Sequence, residues 1–238
     1  MPDLDLMAPW TGGGSAVRAH GRPPLSTFQH PALGRVRYSV QQVSDNPDQQ
    51  VAETITLMKR YALEDAKSPE IQQDVSRAWQ TGEPISDTYA YIKDRLRFVR
   101  DEVTAAPFQA QYSSPIVETL VRPRDMAVLE VPQGDCDCFS MYGAAHLLAR
   151  GIPCAFVTVA ADDGDPTAFS HVYLVAYPTS GPYAGQRVPL DLSHGQYPGW
   201  EVANRFGKRT EWPVNSSSDV LLLGLALGGA YLLYRGLN

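Results

Sequence analysis

Alternation of apolar and polar positions marks the first regular element. From Gly34 to Val43, Val36, Tyr38 and Val40 alternate with polar residues, the period of a half-buried strand. Helical spacing follows. Asn46 before Pro47 combines a capping residue with a first-turn proline, and Val51, Ile55, Met58 and Tyr61 then recur at helical steps. Ser68 before Pro69 opens a second helix with Ile71, Val75 and Trp79 on one face. Ser86 caps a third, with Tyr89, Ile92, Leu96 and Val99 on its stripe. Residues 101–133 carry prolines at 107, 115, 123 and 132 and read as irregular. Cys136 to Arg150 reads as a helix with Met141, Ala144, Ala145 and Leu148 among its apolar positions, ended by Gly151. Three strands are expected after it, over 154–160, 169–177 and 186–192. Helices first and antiparallel strands afterwards predict the α+β class.

The ends of the chain differ from this middle. Residues 1–32 are rich in Gly, Pro and Ser and read as a flexible arm holding His20 and His30. A domain over 33–200 follows, then a peripheral segment and linker over 201–218. Residues 219–238 form a hydrophobic helix in this reading. From Val220 onward about 15 residues pass before the charge of Arg235, close to the lower limit for a spanning helix. A membrane anchor is the expectation, and a buried or partner-docking helix the alternative. Gly224 and Gly228 make a GxxxG, a candidate pairing face for a homo-oligomer. The acidic start, Met1 to Asp5, has no apolar core and does not read as a secretory signal.

Composition narrows the class. The chain has 238 residues, 44% of them hydrophobic, enough for one domain plus tails. A net charge of −6 without any Lys/Arg run argues against nucleic acid as the main partner. Three cysteines, two of them in one short run, do not make a disulfide framework.

The chemistry concentrates in Gly134-Asp135-Cys136-Asp137-Cys138-Phe139, followed by His171 and then Asp191. A helix start offers free N–H groups and partial positive charge, which favour a thiolate at Cys136. His171, on a strand, is the candidate general base, and Asp191 would orient it. Leu190 and Leu192 share one strand face, so Asp191 points to the other. Cys138 lies about 200° around the helix from Cys136 and suits the core. His146 is ten residues after Cys136, about 15 Å along the helix, too far to be the base. His194 is the one substitute for His171. The Cys136 N–H is a candidate oxyanion donor, with Gln133 a guess for the second. Asp162, Asp163 and Asp165 lack a calcium-loop pattern and read as a solvated turn. Neither a metal nor a cofactor is expected.

Residues 90–200, about half the chain, carry these pieces in an order that resembles the transglutaminase-like superfamily, which has a papain-like core. The matching runs are Gly134-Asp135-Cys136-Asp137, then Leu147 to Pro153, His171-Val172-Tyr173 and Pro189-Leu190-Asp191. Upstream, Arg97 to Asp101 and Glu118-Thr119-Leu120 with Pro123 fit too. Cys138 departs from the pattern, which has an acidic or polar residue there. The resemblance implies N-terminal helices, a central helix carrying the cysteine and an antiparallel sheet. It implies a Cys136, His171 and Asp191 triad acting on peptide or protein amides through a thioester, with hydrolysis favoured over crosslinking. A phage or bacterial protein, membrane-associated or in a virion, suits this picture. A non-catalytic structural protein retaining the fold is the alternative.

Overall fold

The computed structural model describes residues 3–9, 25–31, 33–109 and 118–214. The apolar segment 219–238, with Gly224 and Gly228, lies outside them, as does His20. No helix among the described residues is long and apolar enough to cross a membrane.

The protein is α+β, built on helix α6 (Cys136–Ala149). This helix is buried almost all round, with Phe139, Met141, Tyr142, Ala144, Ala145 and Leu147 inside the core. A helix apolar on every side needs neighbours on every side. Helices α1 (Pro47–Asp65), α2 (Pro69–Arg77), α3 (Pro84–Arg95) and α5 (Pro123–Val128) supply part of that shell. The rest comes from a sheet ordered β10-β7-β8-β9, all antiparallel: β10 (Arg209–Pro213), β7 (Cys154–Val159), β8 (His171–Ala176) and β9 (Val188–Leu190). Gly143 permits the close approach of α6 to this sheet, since a Cβ there would meet Leu192 Cδ1 at 2.3 Å and Leu174 Cδ2 at 3.0 Å.

A second sheet, ordered β2-β3-β1-β5, joins β2 (Ser26–His30), β3 (Gly34–Val43), β1 (Asp3–Pro9) and β5 (Glu118–Val121). The flexible-arm reading of 1–32 therefore fails for two segments. Strand β1 is an inner strand, parallel to β3 and antiparallel to β5. Its Asp-Leu-Asp-Leu start is itself a period-two pattern, with Leu4 and Leu6 buried. Its acids are satisfied by partners distant in sequence. Asp3 pairs with Arg37 and Arg124, each at 2.8 Å, and Asp5 bonds Ser39 and Tyr61. His30 is buried and bonds the Thr104 carbonyl at 3.0 Å.

Other expectations shift in detail. Helix α3 is capped by Glu83, whose carboxylate accepts from Ile85 and Ser86 N–H, with Pro84 in the first turn, so Ser86 is not the cap. Helix α2 ends before Trp79, which is exposed and lies under the Arg150 guanidinium at 4.7 Å. Residues 101–133 are not irregular throughout, because α4 (Asp101–Gln109), β5 and α5 fall within them. Strand β10 falls in the segment read as peripheral and extends the site's sheet.

Candidate functional site

The first turn of α6, the start of β8 and the turn after β9 wall one cleft of about 990 Å³. Cys136, His171, Asp191 and His194 line it, along with Asp101, Glu118, Asp135 and Asp137. Gln133 does not, so it is not placed as an oxyanion donor.

Gly134 sets the entry into α6. A Cβ on it would fall 2.3 Å from Cys138 Cβ, so the short strand β6 (Gln133–Gly134) can press against the first helical turn only as glycine. Asp135 is the N-cap by backbone conformation, but its side chain makes no capping bond. Cys136 follows, partly buried, while Cys138 turns into the core. Cys138 Sγ donates to the Thr119 carbonyl and accepts from the Val121 N–H, each at 3.4 Å, as the core reading expects.

His171 Nε2 bonds Asp191 Oδ2 at 2.8 Å. The sheet register brings this about. Leu174 pairs with Leu190, so Asp191, one step beyond β9, comes opposite Tyr173 and diagonal to His171. Asp191 is fully buried and takes two further bonds on Oδ1, from the His194 N–H at 2.8 Å and the Ser193 hydroxyl at 3.0 Å. Burial works to raise this carboxyl, but the bond and charge of His171, with the His194 and Ser193 donors, hold it at about 2. His194 packs its ring edge-on against His171 at 5.0 Å and makes no ring bond to Asp191. Asp191 therefore orients His171 rather than its substitute. His146 lies in the core against Asp74, away from the cleft.

Cys136 Sγ approaches Asp137 Oδ1 at 3.8 Å and receives the N–H of Val172, the residue after His171. It makes no hydrogen bond to His171 in this state; such bonds are often long before substrate binds. The thiol also differs from the expected one. Burial pushes it well above its ordinary value, and the carboxylates of Asp137 and Asp135 add to the push, against the Val172 N–H. Burial and the two flanking carboxylates thus work against the thiolate that the helix start favours.

Compared with models of known protein families the chain matches none, and no curated protein matches it in sequence.

The carboxyl groups around the thiol were not anticipated as a group. Asp101 is raised to about 7 by burial and by Asp137, with Glu118 sharing a hydrogen bond. Glu118 and Asp135 are also raised, by burial first and by Asp137 next. Asp101 and Glu118 are far apart in sequence from Asp135, and the fold brings them together. Among the described residues, three sets of side chains have donor atoms close enough for one metal ion: His171, Asp191 and His194; Asp135, Cys136 and Asp137; and Asp101, Glu118 and Asp135.

Proposed function

We propose that the protein is a transglutaminase-like cysteine enzyme that cleaves amide bonds through a thioester. The observation that carries this reading is the His171–Asp191 bond on the wall of the cleft that holds Cys136 at the start of a buried helix. Asp191 occupies Nε2, which leaves Nδ1 of His171 for exchange with the thiol.

In the proposed reaction Cys136 Sγ attacks the amide carbonyl carbon. The C–S bond forms as the thiol proton passes to His171 Nδ1 and the carbonyl electrons move to oxygen. The tetrahedral intermediate then collapses, the C–N bond breaks, and the imidazolium returns its proton to the leaving amine. Water, deprotonated by His171, resolves the thioester to a carboxylate and the free thiol. Asp191 keeps the imidazole oriented and stabilises its cation. With the thiol raised by burial and by its acidic neighbours, proton transfer to His171 is the step that activates it. The Cys136 N–H at the helix start suits the oxyanion.

An activated peptide ester tests this directly. It should acylate the chain once, with the adduct mapped to Cys136 by intact-mass and peptide mass spectrometry. The adduct should be absent in Cys136→Ala and strongly reduced in His171→Ala. Acylation spread over surface residues, with Cys136 unmodified, would contradict the reading.

The apolar segment 219–238 supports a second part of the proposal, a C-terminal tether to a membrane, of a cell or of a virion. The full chain should float with lipid vesicles in a density gradient and resist a high-salt wash. A chain that stays in the soluble fraction contradicts the tether. A non-catalytic structural role is the second reading, and it is favoured by one observation, the raised Cys136 thiol among acids.

A further inference from the structure

The turn after β9 does more than carry Asp191. The Asp191 carbonyl accepts the Gly195 N–H at 2.9 Å, and a Cβ on Gly195 would fall 2.4 Å from that oxygen, so the turn closes this tightly only on glycine. Lys93 of α3 pins it from outside, donating to the Ser193 carbonyl at 3.3 Å. The His194 ring is held on two sides, edge-on to His171 at 5.0 Å and to Phe98 at 5.4 Å. Ser193 stands between two partners. Its Oγ lies 3.0 Å from Asp191 Oδ1 and 2.9 Å from His194 Nδ1. A serine hydroxyl has one proton to give. Asp191 is ionised at neutral pH and can only accept, so the Ser193 proton lies on the Asp191 side. Ser193 Oγ then offers His194 a lone pair, which bonds Nδ1 only if that nitrogen carries a proton. The bonding runs from His194 Nδ1–H to Ser193 Oγ–H to Asp191 Oδ1, with His171 Nε2–H on Oδ2. A neutral imidazole protonated on Nδ1 has its lone pair on Nε2, and His194 Nε2 makes no hydrogen bond among the described residues.

We infer that Ser193 is a positioning residue that ties a second imidazole to Asp191: its hydroxyl fixes His194 as the Nδ1–H tautomer, so that His194 Nε2 gives the cleft a second proton acceptor beside His171. One carboxylate thus serves two histidines, one directly and one through a hydroxyl. The two rings offer opposite nitrogens, Nδ1 of His171 and Nε2 of His194. The tautomer follows from the turn alone. Its part in the chemistry rests on the proposed thioester reaction. Water or a primary amine brings two protons on its attacking atom. His171 takes one as that atom bonds to the carbonyl carbon, and returns it to sulfur as the C–S bond breaks. His194 Nε2 accepts a hydrogen bond from the other, which aims the attacking lone pair at the thioester.

Nitrogen NMR of the imidazoles tests the tautomer without any reaction. The full chain with isotope-labelled histidine is read at about pH 8–9, above the ordinary histidine value, and the His194 signals are assigned by their loss in His194→Ala. We expect the His194 proton on Nδ1 in wild type, mainly on Nε2 in Ser193→Ala, and back on Nδ1 in Ser193→Thr. His171 should keep Nε2–H in all of them, which shows that the site has folded. A His194 proton on Nε2 in wild type overturns the inference, as does a tautomer that Ser193→Ala leaves unchanged. The part in the chemistry is read from the lifetime of the Cys136 adduct formed by an activated peptide ester. It should lengthen about tenfold or more in His194→Ala, lengthen in Ser193→Ala, and return toward the wild-type value in Ser193→Thr. An adduct lifetime unchanged in His194→Ala overturns that part. Absence of any Cys136 adduct in wild type contradicts the enzymatic reading instead, and the tautomer still decides whether Ser193 positions His194.

Discussion

His146 and His171 each meet an aspartate through Nε2, Asp74 at 3.0 Å and Asp191 at 2.8 Å, yet the two pairs stand in opposite surroundings. Asp74 is sealed in the core. It also accepts from Tyr142, from Tyr91 at 2.5 Å and from Arg95 at 2.7 Å, and so ties α2, α3 and α6 together. Burial lowers the His146 imidazole against the pull of Asp74, and its Nδ1 has no partner. His171 stands instead on a cleft wall that Cys136 shares. The lesson is that a histidine–aspartate bond does not by itself make a reactive site. What decides is whether the second ring nitrogen faces an open cleft with a nucleophile in reach. The first pair holds helices together, and the second, in the proposed reaction, moves a proton.

The largest effect that separates the pairs is on stability. Asp74→Ala leaves Arg95 and two tyrosine hydroxyls without their buried acceptor and should cost about 3–5 kcal/mol, read from the denaturant midpoint. Asp191→Asn should cost much less stability. Its effect should fall on Cys136 acylation by an activated ester, slowed by about 100-fold or more through the wrong imidazole tautomer. Equal effects of both substitutions on both readouts would erase the distinction.

Acid titration sharpens it next. The Asp191 carboxyl is depressed to about 2, so its contribution is present above the ordinary aspartate value and is lost as pH falls from about 4 toward 2. Over that window it amounts to about 2 kcal/mol. Asp191→Asn should flatten that limb of the pH–stability curve, measured by chemical denaturation at each pH. A limb that stays as steep without Asp191 would assign the acid sensitivity to other depressed carboxyls, Asp74 among them, where hydrogen bonds from His146, Tyr142 and Tyr91 outweigh burial. A smaller effect is expected at the helix–sheet contact. Gly143→Ala drives a methyl group into Leu192 and should destabilise by about 1–3 kcal/mol, with β9 displaced and Asp191 moved from His171. The smallest effect belongs to Cys138→Ser. It should cost about 1 kcal/mol of stability and leave Cys136 acylation within about twofold of wild type, since Cys138 bonds only into the core.

Much of this comparison is written in local pattern. The strand over Gly34–Val43 and the helix starts at Pro47, Pro69 and Cys136 are legible because capping residues and periodicity act over a few residues. His171 is legible as the start of a short apolar strand, and Asp191 as the residue that directly follows the next one. The rest depends on contacts between distant segments. Asp3 and Asp5 look like parts of a solvated arm until Arg37, Arg124 and Tyr61 are folded against them. The meeting of Asp101, Glu118 and Asp135 is likewise invisible in one dimension, and so is the burial that, with the flanking Asp137 and Asp135, raises the Cys136 thiol. His146 reads in sequence only as too distant to be the base; its place in a core network follows from Asp74, 72 positions earlier.

The central claim is that His171 activates Cys136, and alkylation resolved by site tests it most directly. Wild type and His171→Ala are treated with iodoacetamide over about pH 6–8, and labelling rates at Cys136, Cys138 and Cys154 are read by peptide mass spectrometry. The account predicts that Cys136 labels fastest in wild type and slows by about tenfold or more without His171, while the two buried cysteines stay slow in both. Cys136 labelling at the same rate with and without His171 would contradict it, and the cleft would then belong to a structural protein.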